Sequence, residues 1–188
     1  MAKLIFSAFL LVGVVFTLSV TTSAQYRDYM TDAEIELVRD AQDIDLRVAV
    51  LTRMADRRFA ALGLDAGGDK KKLSEKWGPE PTGSRVELFN DISRLLEKAA
   101  DDIDGIAGRN EISLEQNRME GKLFPKAVRN LAEAAKRYLP VLSLAEEKTT
   151  DEMERGTLLT AIELCEQAIE AAGKLPEPVK EDKKKGKN

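Results

Sequence analysis

The feature that most constrains this chain is a stripe of apolar residues in alternating steps of three and four: Leu37, Ala41, Ile44, Val48, Leu51, Ala55, Phe59 and Leu62. At 3.6 residues per turn such a stripe lies on one face of a helix, and a folded chain has to bury that face. The spacing predicts a single long helix over residues 31–62, about 48 Å from end to end. Thr31 and Glu34 stand at the spacing of a capping box, where each side chain satisfies the other residue's backbone N–H. Gly63 is the expected stop, because glycine takes the left-handed conformation that closes a helix. Leu46, Val50 and Met54 make a second stripe on the same segment.

Three further segments repeat the pattern. Residues 84–107 carry Phe89, Ile92, Leu96, Ala99, Ile103 and Ile106, with Ser84 and Glu87 at capping-box spacing. A helix beginning near Pro125, a residue tolerated in the first turn, carries Phe124, Val128, Leu131, Ala135, Tyr138, Leu142 and Ala145. Pro140 falls inside that pattern and is expected to kink or split it, since it removes a backbone donor. The last segment starts at Thr149 or Thr150, with Glu152 placed to complete a cap, and carries Leu158, Ile162, Cys165, Ile169 and Ala172 before Gly173 and Pro176. No alternating β-branched run is bounded by hairpin turns. The expected fold is all-α: an antiparallel bundle of about four helices, the first one long, over residues 25–175. Long loops are expected at 63–83 and 108–122. Aromatics are 5% of the chain against 43% hydrophobic residues overall, so the core must be largely aliphatic.

The two ends read differently. Met1, Ala2 and Lys3 lead into an uncharged stretch from residue 4 to 20, then Thr22, Ser23 and Ala24. A basic start, an apolar run and a small-residue site are the layout of a secretory signal peptide cut after Ala24. The alternative is a retained N-terminal anchor. No cysteine follows the run, which excludes a lipid-anchored start. From Lys174 onward six lysines stand against three acids, on a chain of net charge −4. This tail, residues 176–188, lacks core-forming residues apart from Val179 and is expected to be disordered. It offers weak contact with anionic surfaces.

Residue types exclude a good deal of chemistry. With no histidine and one cysteine, the chain can build no Ser-His-Asp triad, no Cys-His dyad and no histidine-ligated zinc site. The acidic balance argues against nucleic acid, whose phosphates are met by lysine and arginine. Residues 100–111 can be read in an EF-hand register that places Asp102, Asp104, Gly105 and Glu111 correctly. Ala100 then stands where the first carboxylate belongs, and Ile103 and Ile106 continue a helical stripe, which favours a solvated helix end. The glycines before Lys70, Lys71 and Lys72 lack the serine or threonine and the preceding strand of a phosphate loop. Cys165 sits between Ile162 and Ile169 on its stripe and reads as a small buried hydrophobe. Asp43 with Arg47 and Glu133 with Arg137 read as i, i+4 support on helix surfaces. Trp77, the one tryptophan, either anchors a partner or covers an edge of the bundle.

These features lead to an expectation of an exported, non-enzymatic interaction or structural adaptor of the cell envelope, with no cofactor, no metal and no catalytic residue. Its partner is expected to be another envelope protein, met by Leu46, Val50, Met54 and Trp77. The alternatives are a periplasmic small-molecule or ion binder, with its site between helices or at the Trp77 loop, and an enzyme that uses carboxylates, lysine or tyrosine alone.

Overall fold

The computed structural model describes residues 27–68, 75–107 and 114–176. The leader segment with Ala24, the lysines at 70–72, Glu111 and the tail beyond Pro176 lie outside the described residues. The described chain is all-helical, with no strand among those residues. Its order is α1 (Asp32–Asp40), α2 (Ile44–Ala61), a single 3-10 turn (Glu75–Trp77), α3 (Arg85–Ala107), α4 (Leu114–Lys148) and α5 (Glu152–Gly173). No helix among the described residues is long and apolar enough to cross a membrane.

Among the described residues five helices replace the expected four, because the first segment is broken. Thr31 and Glu34 form the complete capping box at the start of α1. The helix then stops at Ala41, whose ψ of 84° leaves the helical region, and Asp43 restarts it as the extended N-cap residue of α2. The Arg47 Nε donates to the Ala41 carbonyl across the break (3.0 Å), so Arg47 braces the bend in place of pairing with Asp43. At the far end of α2, Gly63 has φ +71°. Its N–H donates to Ala60 O (2.9 Å) and that of Leu64 to Phe59 O (2.8 Å). This is a Schellman closure, which satisfies carbonyls the helix would otherwise orphan.

Three other boundaries move. α4 begins at Leu114, so the expected loop over 108–122 is helical from that residue on. Pro125 and Pro140 both lie inside α4, which runs through them unbroken. Pro140 is exposed, and the buried Tyr138 and Leu142 on either side hold the helix against the core, so packing offsets the lost backbone bond. α5 is capped by Asp151, whose carboxylate accepts from Met153 N (2.8 Å) and Glu154 N (3.2 Å), rather than by a threonine upstream. The Ser84–Glu87 box is formed as read, with Ser84 N donating to Glu87 Oε2 at 2.7 Å and Glu87 N to Ser84 Oγ at 3.3 Å.

Side-chain contacts fix the relative directions of the helices. Lys126 pairs with Asp45 (2.5 Å) and Arg137 with Asp56 (3.1 Å), an equal step along α4 and α2, so these two run parallel. Arg85 reaches Glu154, and Ser93 Oγ donates to Thr157 O, so α3 and α5 also run parallel. Arg155 meets Glu146 at the α4–α5 turn while Arg129 donates to Pro176 O at the other end, which makes that pair antiparallel. α2 packs on α3 and α4, and α5 packs on the same two, so the order around the core is α2, α3, α5, α4. α3 and α4 therefore stand at diagonal corners. Inside lie Val48, Met54, Phe59, Phe89, Ile92, Tyr138, Leu142, Leu158 and Cys165, all fully buried. The rings of Phe59 and Tyr138 lie 4.8 Å apart. Burying each large apolar side chain contributes roughly 1.5–3 kcal/mol.

Candidate functional site

The most concentrated chemistry sits where α1 crosses the C-terminal half of α2. Glu34 completes the α1 cap, its Oε2 accepting from Thr31 N at 3.0 Å. The same carboxylate is 0% exposed. It also accepts from Arg57 Nη1 (2.6 Å), from Arg58 Nη2 (2.7 Å) and from Arg58 Nη1. Two adjacent guanidinium groups thus close on one carboxylate. Arg57 goes on to donate to Trp77 O (3.0 Å) and Pro79 O. Arg58 donates to Tyr29 O (2.6 Å), and its Nε stands 3.6 Å from Asp91 Oδ2. Arg27, before α1, donates to that same Asp91 oxygen at 2.5 Å.

The electrostatics follow from burial and pairing. Burial alone pushes the Glu34 carboxyl up, but the hydrogen bonds and charge of Arg58, with the Thr31 N–H and Arg57, hold it below the ordinary glutamate value. Burial pushes Asp91 above the usual aspartate value, and Arg27 and Arg58 only partly offset it. Burial lowers Arg57, against the pull of Glu34. A guanidinium does not give up its proton near neutrality, so the pair is a fixed positive anchor for a carboxylate and has no acid–base role.

Trp77 lies beside this anchor. It is 6% exposed, with the guanidinium carbons of Arg53 and Arg57 at 5.5 and 5.7 Å from the centre of its ring. Gly78 has φ +65°, and a Cβ there would come within 2.9 Å of the Ala33 methyl group, so α1 presses directly on the chain that follows the tryptophan. Of the residues expected to meet a partner, Leu46 is 52% exposed and Val50 is half-buried. Met54 is 0% exposed and packs in the core with Trp77. The expected stripe therefore does not form one exposed surface: the turn of α2 that carries Met54 faces its neighbours. Large apolar side chains are exposed instead at Leu46, Leu144, Met153 and Leu159.

A second polar cluster joins α2 to α4. The Tyr138 hydroxyl lies 2.7 Å from Asp56 Oδ1 and 2.8 Å from Thr52 O. Arg137 Nη1 donates to Asp56 (3.1 Å) and to Ala66 O (2.8 Å), so Arg137 reaches α2 and leaves Glu133 to Lys136. With Glu34–Arg57, Arg58–Asp91, Arg85–Glu154 and Arg155–Glu146, these contacts complete a closed circuit of ion pairs around one end of the helices. The residues of the EF-hand register are placed otherwise: Asp102 pairs with Lys98 on α3, Ile103 is buried, and Asp104 is exposed. Among the described residues no group of three or more histidine, cysteine, aspartate or glutamate side chains is placed to hold a metal ion.

Compared with known families, characterised proteins and solved structures, the chain matches no family model, no characterised protein and no solved structure.

Proposed function

We propose that the protein is an exported helical bundle that serves as a non-enzymatic interaction or structural adaptor of the cell envelope. The observation that supports this reading is the use made of its charged side chains. Buried Glu34, Arg57, Arg58, Asp91 and Glu154 are each engaged in contacts that join one segment to another. Such contacts specify one arrangement of helices more than they add stability. Leu46 and Met153, at 52% and 74% exposed, are left on the outside as apolar contact points. The alternative of a small-molecule or ion binder at the Trp77 loop needs open space beside the ring, whereas the ring is buried with the guanidinium groups of Arg53 and Arg57 against it.

The test is a cross-linking pull-down of the tagged chain from native envelope extract, at low and high salt, beside a Leu46→Ser, Met153→Ser variant. One salt-resistant partner, lost in the variant, is the expected result. An empty pull-down under both conditions would overturn the adaptor reading. Sequencing the N-terminus of the exported chain tests the leader, with Gln25 expected as the first residue.

A further inference from the structure

We propose that Arg57 and Arg58, with Trp77 beside them, form a recognition site for an acidic polypeptide segment, which α1 occupies in cis and yields when another acidic segment replaces it. The proposal gives the interaction reading a partner chemistry and rests on that reading for its biological use.

Three observations carry it. The fully buried core lies outside this segment: every buried member of the apolar cluster lies at Ile44 or beyond, and residues 27–41 add the partly buried Tyr29, Met30, Leu37 and Val38. α1 packs on α2 and on the Trp77 turn, while α2 to α5 pack on one another. It is joined to α2 through the break at Ala41, so it is able to swing away without unwinding α2. It is held by the Glu34 carboxylate between two guanidinium groups, with Arg27 on Asp91 and the Tyr29 carbonyl on Arg58 fastening the residues just before it.

The chemistry of the occupant is written in the present one. Residues 27–41 carry five acids, Asp28, Asp32, Glu34, Glu36 and Asp40, against Arg27 and Arg39. Of these, Glu34 is the acid that meets Arg57 and Arg58, while Glu36 pairs with Arg39 on the exposed side of α1. When α1 leaves, Asp91 remains near Arg58 Nε, but the Nη groups that held Glu34 lose their carboxylate. A buried charge without its partner is costly, which favours any segment that returns one. A tethered occupant acts at an effective concentration in the millimolar range. An external segment therefore competes poorly in the intact chain and well once Glu34 is removed.

The experiment uses two synthetic peptides of residues 27–41, one with the natural Glu34 and one with glutamine there. Each is titrated into the purified wild-type chain and into a Glu34→Ala chain, with Trp77 emission and calorimetry as readouts. The natural peptide is expected to bind Glu34→Ala at least about tenfold more tightly than wild type, and about tenfold more tightly than the glutamine peptide does; tenfold corresponds to about 1.4 kcal/mol. Absence of binding to a folded Glu34→Ala chain, or equal binding of the two peptides, overturns the proposal. If Glu34→Ala does not fold, hydrogen exchange on the wild-type chain decides. Supplied in millimolar excess, enough to rival the tethered occupant, the natural peptide should speed exchange of the α1 amides while those of α2 stay slow, and no acceleration overturns the proposal. These outcomes do not depend on the envelope pull-down, so each reading fails separately.

Discussion

The Tyr138 hydroxyl lies 2.7 Å from Asp56, beneath the guanidinium of Arg137, at a point where α4 crosses α2 with no solvent reaching the ring. Burial, and then the charge of Asp56, push its pKa well above the ordinary tyrosine value. The unfolded chain loses this proton at the ordinary value while the folded chain keeps it. Stability from this group is therefore complete below that pH and falls as pH rises above it. Tyr138→Phe should cost about 1–2 kcal/mol at neutral pH and flatten the alkaline decline. Urea melts of both chains from neutral pH upward check this, and an unchanged alkaline slope would contradict it.

Replacing Glu34, buried where α1 meets α2, should be among the most damaging single changes in the fold. Glu34→Ala leaves two guanidinium groups without their carboxylate, an expected loss of roughly 3–5 kcal/mol. Glu34→Gln, which keeps the shape, should lose less. Chemical denaturation followed by Trp77 emission measures both.

The same cluster sets the acid limb of the stability curve. The Glu34 pKa is lowered in the fold, so its contribution is present above the ordinary glutamate range and lost as pH falls through it. Asp91 is raised, so its protonation on the way down favours the fold and softens the loss. Asp91→Asn should therefore steepen the acid limb, and Glu34→Gln should flatten it. Parallel acid titrations of the three chains distinguish these signs.

Cys165 is fully buried, and burial raises its thiol to about 12. Thiolate is the reactive form, so a maleimide or disulfide reagent should leave the native chain unlabelled at neutral pH and label it fully in denaturant. Rapid native labelling would show that α5 opens.

Leu46 and Met54, two turns apart on α2, should part company under mutation. Met54→Ala removes a fully buried side chain and should cost about 2–5 kcal/mol. Leu46→Ser alters an exposed position and should stay within about 0.5 kcal/mol. Thermal melts of the two variants make the comparison.

The helical stripes and two of the caps were legible in the sequence, since period and capping chemistry are local properties. The break at Ala41 was not. The stripe Leu37, Ala41, Ile44 passes through it in perfect register, and only the neighbouring Asp40 and Asp43, both good capping residues, hint at a stop and restart. The prolines misled in the opposite direction, because packing on both sides of Pro140 outweighs the lost bond. The Glu34 cluster had a readable sign. The stripe Leu46, Val50, Met54 continues with the next step of four to Arg58, and a charge at an apolar position calls for a buried partner. Which carboxylate answers it depends on how α1 folds back, and spacing along the chain carries no record of that. The parallel placement of α2 beside α4 is likewise a choice between packings that bury the same stripes.

That placement has an electrostatic consequence. At the end closed by the ion-pair circuit, α3 and α5 present their amino termini side by side, and α2 and α4 present their carboxyl termini side by side. Each helix brings a partial charge to that end, positive at an amino terminus and negative at a carboxyl terminus. The end is thus divided into a positive half and a negative half. Glu87 and Glu154 lie in the first turns of the positive half, Arg58 and Lys148 in the last turns of the negative one. The side chains oppose the backbone field on both halves. Parallel neighbours, whose like ends would repel, are in this way made compatible by the residues that also lock them together.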